Sequence, residues 1–213
     1  MTGDEWLIWQ LADTAFPVGG LAHSNGLEAA WHHGAVVDGP TLDGFVRVAL
    51  RQTVRGTLQF VRASRDRPER LAEIDAECDL FLNNHVSNRA SRAQGRAFLA
   101  ATGRIFGTAG FTRVADAVRD GSAVAHLAPV FGAVMGVLHV SPEQTDSLFL
   151  FMLARGCISS AVRLGIVGPL EGQQIQSRLR AEPATFDSAV QTAPVLDLLQ
   201  ATQDRLYSRL FQS

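Results

Sequence analysis

Apolar residues recur with a helical period along nearly the whole of this 213-residue chain, and no run alternates in the way of a half-buried β-strand. In one predicted helix, for example, Leu50, Val54, Leu58 and Val61 follow one another at steps of four, four and three. A hydrophobic content of 46% is typical of a globular protein, and the length allows a substantial core. We therefore expect an all-α fold, a single-domain helical bundle of about eight to ten helices over residues 1–213.

Proline and glycine divide the N-terminal half of this pattern into segments. A first helix is predicted over Glu5–Ala12, followed by a break at Phe16-Pro17-Val18-Gly19-Gly20. The sequence SNGLEAAWHHG predicts a second, short helix with Ser24 as its N-cap. A long third helix is predicted from near Thr41, and the turn that ends the helical run is predicted near Arg67-Pro68.

The C-terminal half begins with a strong helix start, since Ser141 is a good N-cap and proline and glutamine follow at the favoured positions. This helix is predicted to end at Leu164, and its middle, Leu148–Ala154, is apolar all round, which predicts the central buried helix of the bundle. A last amphipathic helix is predicted over Val195–Leu210. Segment 182–213 is separated by a loop and expected to be mobile; the residues alone allow it to dock on its own core or on a partner.

The charges are distributed unevenly, although the net charge is only −2. All 19 basic residues are arginines, and Arg47 is the only one among the first fifty residues. A helical transcription regulator of the TetR kind, the competing class of all-helical protein, would need a basic helix-turn-helix in that region. The distribution argues against that class, and we expect no nucleic-acid or membrane partner.

One helix face carries a stripe of arginines at steps of four, four and seven, and the next helix carries glutamates on one face. Like charges four residues apart repel by roughly 0.2–0.5 kcal/mol per pair unless acidic groups compensate them. We expect the two helices to match each other within the chain, with an acidic partner surface as the second alternative. The arginines are Arg47, Arg51, Arg55 and Arg62, and the glutamates are Glu69, Glu73 and Glu77.

The segment Gly121–Pro142 contains no charged residue and is about as long as a bilayer is thick. It also contains Pro129 and two histidines, and no cationic cluster flanks it. We therefore predict a buried helix of a soluble protein. Gly132 and Gly136 lie four residues apart within it, which predicts a close contact with another helix.

The sequence carries few signals of catalytic chemistry. Cys78 and Cys157 are far apart, which indicates two buried thiols, and the adjacent His32 and His33 point too far apart to bind one metal ion together. A GxSxG elbow and a lysine-containing phosphate loop are both absent from the sequence. The acidic N-terminus does not resemble a signal peptide. These observations favour a cytoplasmic binding protein that acts through partners.

The segment Asp13–Ala30, DTAFPVGGLAHSNGLEAA, forms either a tight interhelical corner or an exposed recognition loop on its pattern alone. It resembles the signature of the UreF family of urease accessory proteins, a Pro-x-Gly followed by Ser-x-Gly-Leu-Glu. Ser159–Gln173 resembles the family's second motif, Ala-x-Arg-Leu-Gly followed by a glycine and a glutamine. Arg92–Gly95 and His126 also fall where the family has counterparts.

The resemblance implies an all-helical nickel-insertion chaperone without catalytic activity. Family members bridge a UreD-type scaffold and a UreG-type GTPase and act on urease apoprotein during GTP-dependent activation. The resemblance further implies a homodimer within that complex, nickel and GTP handled by the complex, and no cofactor bound tightly by this chain. Family tails tend to order against the UreD-type partner, which shifts the expectation for the last segment towards a partner.

The resemblance also assigns residues to partner binding or nickel passage. Glu28 is the first candidate, because the helix itself does not require a carboxylate there. Arg163 follows a helix predicted to be buried and must find a carboxylate or carbonyl group, so we expect a structural role for it. The full set is Pro17, Gly19, Ser24, Gly26, Leu27 and Glu28 from the first motif and Arg163, Leu164 and Gly165 from the second.

Overall fold

A computed structural model describes residues 3–17, 23–107, 109–180, 186 and 188–213 of the chain. The described part contains eleven α-helices and no strand, which confirms the all-α prediction. Two 3₁₀ turns, Pro68–Arg70 and Gln203–Arg205, supplement them. The helices are α1 (Gly3–Ala12), α2 (Leu27–His32), α3 (Gly39–Arg55), α4 (Thr57–Asp66), α5 (Leu71–Phe81), α6 (His85–Phe106), α7 (Ala109–Arg119), α8 (Leu127–Val137), α9 (Pro142–Arg163), α10 (Pro169–Arg178) and α11 (Pro194–Ala201).

Side-chain caps fix the starts of the longer helices. Asp38 accepts a hydrogen bond from the backbone N–H of Thr41 at 3.0 Å, and the Thr41 hydroxyl accepts one from the N–H of Asp38 at 3.1 Å. This capping box starts α3 slightly before the predicted residue. The Ser141 hydroxyl accepts from the N–H of Gln144 at 3.2 Å, which confirms the predicted start of α9.

The helix predicted as continuous from Thr41 is broken at Gly56 into α3 and α4. The backbone of Gly56 leaves the helical region, with φ −111° and ψ −99°. The ring of Phe81 lies 2.7 Å from where a Cβ atom on Gly56 would be, so a larger residue would collide with α5. The apolar spacing continues across the break, and the sequence pattern therefore did not reveal it.

Helix α8 is the central helix of the fold, and α4 and α6 pack most extensively against it. All eight of its residues from Ala128 to Met135 are buried. Gly132 and Gly136 lie directly against the backbone carbonyl groups of Val61 and Arg65 on α4. The predicted buried helix and its close glycine contact are both confirmed, because only residues without a side chain let the two backbones approach this far.

The prediction that α9 is the central buried helix is wrong. Phe151, in the middle of its apolar run, is 42% exposed, and several neighbours are only partly buried. By length and composition alone α9 is long and apolar enough to cross a membrane, and half of its most apolar window is buried inside the fold. Composition measures how apolar a helix is, whereas burial depends on which elements cover it.

The predicted match between the arginine stripe and the glutamates Glu69, Glu73 and Glu77 is also wrong. Arg47 pairs with Asp43 on its own helix at 2.6 Å, and Arg62 pairs with Asp146 of α9 at 2.7 Å. Glu73 of α5 pairs instead with Arg70 at 2.5 Å. Only Arg62 of the stripe lies on α4, which packs on α8 and α9, so its acidic partner comes from α9.

The last amphipathic helix ends at Ala201 and not at Leu210. The residues that follow it, 202–213, form a 3₁₀ turn and an irregular segment that we call the C-terminal tail. Phe211 of this tail is buried, whereas Tyr207 is fully exposed. In the described structure the tail therefore docks on its own core, one of the two arrangements that the residues alone allowed.

Candidate functional site

The first motif ends in a left-handed turn that leads into α2. Asn25 and Gly26 have φ values of 56° and 83°, a backbone conformation that favours glycine and tolerates asparagine. A side chain on Gly26 would run into Gln200 of α11. Helix α2 consequently begins at Leu27, so the prediction of Ser24 as its N-cap residue is wrong.

Ser24 still bonds the first turn of α2, although it lies outside the cap position. Its hydroxyl oxygen accepts a hydrogen bond from the N–H of Glu28 at 3.3 Å. The same hydroxyl donates to the backbone carbonyl of Ser213 at 2.8 Å, and the N–H of Ser24 donates to that carbonyl as well. The buried ring of His23 lies beside it, with Nδ1 2.7 Å from the Ser213 hydroxyl. Ser24 therefore links α2 to the C-terminal tail.

Glu28 is the centre of this contact. Its side chain is only 1% exposed, and its carboxylate oxygens accept hydrogen bonds from three donors of the tail. The amide of Gln203 donates at 2.6 Å, the N–H of Phe211 at 3.1 Å, and the N–H of Leu210 at close range. One buried carboxylate thus accepts hydrogen bonds from both the 3₁₀ turn and residues 210–211 of the tail. These bonds explain why α2 carries a carboxylate that its own helix does not need.

The second motif reaches the same tail from α9. The Arg163 guanidinium lies over the ring of Phe211, 4.5 Å from the ring centroid, in a cation–π arrangement. Gly165 follows in a left-handed conformation with φ 73°, and its N–H donates to the carbonyl of Val162 at 3.1 Å, ending the helix as the sequence predicted. Leu164 packs against the core. The two sequence motifs, far apart in the chain, therefore meet at Phe211.

The remaining residues predicted for the site occupy different places. Leu27 is fully buried in the core, and Gly26 forms the turn described above. Pro17 lines a cavity, and Gly19 lies outside the described residues. The sequence reasoning missed Gln203 and Phe211, the tail residues that occupy the site. The signal that could have indicated a distant partner was the unexplained carboxylate on α2.

The cavity has a volume of about 390 Å³ and runs between the first motif, α6 and α9. Phe16 and Pro17 line its side at the first motif, and Phe131 and Phe149 line its interior. Residues of α11 and Ser213 of the tail also line it. The described part of the chain therefore places a sizeable cavity directly beside the junction of the motifs and the tail.

A second buried polar network fixes the start of α8. The Asp75 carboxylate accepts from the N–H groups of Val124, Ala125 and His126 at 2.6, 3.0 and 2.7 Å. The buried His126 ring bridges the Ser91 hydroxyl, at 3.2 Å from Nδ1, and the Asp79 carboxylate, at 2.9 Å from Nε2. Gly95 of the Arg92–Gly95 motif lies against this same backbone.

Ser91, His126 and Asp79 are hydrogen-bonded in the order serine–histidine–aspartate, as in a hydrolytic triad. A triad also needs free N–H donors beside the serine for the developing oxyanion. Here Asp75 takes the N–H groups of residues 124–126, and the Ser91 hydroxyl takes that of Leu127 at 3.1 Å. These four N–H groups are therefore already bonded within the described part of the chain, and the arrangement holds helices together.

Metal and thiol chemistry find little support in the described residues. No group of three or more histidine, cysteine, aspartate or glutamate side chains lies close enough there to hold a metal ion. Cys78 and Cys157 are buried free thiols, and burial raises the pKa of Cys157 to about 12. A thiol with so high a pKa is protonated at neutral pH and unreactive.

Fold and site together define an all-helical protein whose two sequence motifs hold the C-terminal tail of the same chain. The UreF family model matches residues 4–180. The chain is 34% identical to urease accessory protein F of Arabidopsis thaliana, over 98% of this chain and 92% of the relative, and 32% identical to that of Oryza sativa subsp. indica, over 97% and 84%. Urease accessory protein UreF of Rhizobium leguminosarum is 28% identical over 93% and 92%. This chain belongs to the UreF family.

Proposed function

We propose that this protein is a cytoplasmic, non-catalytic chaperone of urease maturation. It bridges a UreD-type scaffold and a UreG-type GTPase during GTP-dependent delivery of nickel to urease apoprotein, and it forms a homodimer within that complex. Nickel and GTP are handled by the complex, and this chain binds no cofactor tightly. Membership of the UreF family and the names of the relatives, which are urease accessory proteins, support the proposal.

The observation that carries the proposal is the convergence of both family motifs on a peptide segment. Glu28 and Ser24 bond the tail, and Arg163 covers its aromatic ring. Glu28 and Ser24 accept from or donate to main-chain groups of residues 210, 211 and 213, and so fix the path of the tail. A tail held in one path presents its exposed residues to a partner in a fixed geometry. In this proposal the surface that partners bind consists of the first motif and the tail that it positions.

A pull-down from cells carrying the urease genes tests the proposal. The full chain should capture UreD-like and UreG-like partners, and Glu28→Ala should capture less of them and lower urease activity. The matched control is Glu69→Ala, which removes an exposed carboxylate from the turn before α5 and should leave both unchanged. Robust GTP hydrolysis by the pure chain, or full urease activation without it, would contradict the proposal.

A further inference from the structure

The cavity beside the first motif has the size and walls of a small-molecule site. Its volume of about 390 Å³ lies within the range of ligand pockets, which are apolar cavities with few polar groups. Its described walls are largely apolar. They include Phe16, Phe131, Phe149, Met152, Leu153 and Leu196.

The lining also contains polar residues, and one of them is Arg155 of α9. The Nη1 atom of Arg155 is buried and has no hydrogen-bond partner in the described part of the chain. The face of the same guanidinium lies 6.0 Å from the ring centroid of Phe151. Burial lowers the pKa of Arg155, although the exposed carboxylate of Asp13 attracts the charge and opposes this effect. Buried charges are normally paired, whereas Asp13 attracts this guanidinium without bonding its buried Nη1 atom.

The neighbours of Arg155 make one end of the cavity polar. Ser159, one turn further along α9, lines the cavity, and so does Asn25 from the left-handed turn of the first motif. The Asn25 amide nitrogen lies 3.8 Å from where a side chain on Gly156 would begin. Gln200 holds this turn by donating to the Asn25 carbonyl at 3.2 Å. A cation, a hydroxyl and an amide therefore lie together at one end of the cavity, whose lining is mostly apolar but also includes polar residues elsewhere, such as Gln52, Gln94 and Asp197.

We propose that this cavity binds a carboxylate carried on an apolar body, with the Arg155 guanidinium as its ion-pair partner. The planar fork of arginine matches a carboxylate with two parallel hydrogen bonds, and a water-poor site strengthens the pairing. The apolar walls accommodate the body of the ligand. The carboxylate belongs either to a free small acid or to an acidic side chain of a partner loop, and both sources share this chemistry.

Calorimetric titration of the full chain with octanoate and octanamide tests the charge directly, because the two probes share an apolar tail and differ in the head group. Octanoate should bind saturably and at least about tenfold more tightly than octanamide, as expected for a charged hydrogen bond. Arg155→Gln should abolish this preference. Arg113→Gln, at an exposed position on α7, should retain it. Two outcomes would overturn the proposal. One is equal binding of the two probes together with partner capture that Arg155→Gln leaves unchanged. The other is a preference for octanoate over octanamide that the Arg155→Gln protein retains.

The two sources are separated by partner capture in the presence of octanoate. If both octanoate and Arg155→Gln reduce partner capture, a partner carboxylate occupies the cavity. If neither changes partner capture and octanoate binds tightly, the ligand is a free acid. If Arg155→Gln does not fold, the ratio of octanoate to octanamide affinity on the unaltered chain decides. The titration needs no urease component, so its outcome is independent of the proposed function.

Discussion

Helix α8 and the C-terminal tail both lie against the rest of the fold, yet different forces hold them. Helix α8 is buried through apolar side chains and through the close approach of Gly132 and Gly136 to the backbone of α4. The tail is held by directed bonds to Glu28 and Ser24 and by the Arg163 guanidinium over its ring. The first contact depends on shape, whereas the second depends on matching donors and acceptors.

This difference predicts how each contact fails. A tightly packed crossing responds to added volume, because the two backbones have no room to separate without opening the core. A polar junction responds to the removal of one partner, because the remaining donors stay buried and unsatisfied. Substitutions that change only volume or only hydrogen bonding therefore separate the two regions.

The largest effect is expected for Gly132→Leu in α8. The new side chain would collide with the Val61 carbonyl and the Ser64 hydroxyl on α4, so we expect a loss of about 3 kcal/mol or more in the free energy of unfolding. Urea unfolding followed by circular dichroism measures it. Gly103→Ala on α6 is the control, since nothing lies near its new Cβ, and it should stabilise by about 0.5–1 kcal/mol. A Gly132→Leu protein as stable as the parent would show that the crossing is loose.

The next effect is expected for Glu28→Ala, which removes the acceptor of the Gln203, Leu210 and Phe211 donors. We expect about 2 kcal/mol of weaker tail docking with the helical core still folded. Trypsin cleavage after the exposed Arg205 and Arg209 measures tail release and should accelerate roughly 30-fold.

Glu69→Ala is the control for this cleavage, because its carboxylate is exposed and lies away from the tail. If Glu28→Ala unfolded the core together with the tail, the carboxylate would be part of the shape-dependent core. The comparison between the two regions would then fail. Unchanged cleavage would instead mean that the three bonds contribute little to tail docking.

The helices themselves could be predicted from the sequence because their signals are local. Apolar spacing and caps such as Ser141 lie within a few residues of what they determine. The break at Gly56 was not predicted, because it does not interrupt the apolar spacing. The end of α11 was not predicted either, because Leu206 and Leu210 continue the helical spacing although the backbone there is no longer helical. Local patterns thus found the elements but not all their boundaries.

The relations between helices could not be predicted, because they depend on contacts across the fold. Both α8 and the middle of α9 are apolar, and only their coverage by neighbours makes α8 the central helix. The family resemblance selected Glu28 and Arg163, but not the tail that occupies them: Gln203 lies 175 residues from Glu28. Burial of Glu28 follows from that distant partner, which no spacing rule within α2 contains.

The smallest effect concerns the outer edge of the tail. Asp204 pairs with Arg89 at 2.9 Å and with Arg209 at 2.8 Å, and these hydrogen bonds and charges, Arg89 first, lower the pKa of the carboxyl from 3.8 to about 2. A depressed pKa means that the stabilisation is present above about pH 4 and is lost as the pH falls towards 2. Because the pair is partly exposed, the effect is modest and screened by salt.

Trypsin is inactive in acid, so pepsin cleavage of the tail between pH 4 and pH 2 measures this effect. Tail release should rise less steeply in Asp204→Asn than in the parent. Parallel pH profiles would show that the edge pairs do not hold the tail and that Glu28, Ser24 and Arg163 carry its docking.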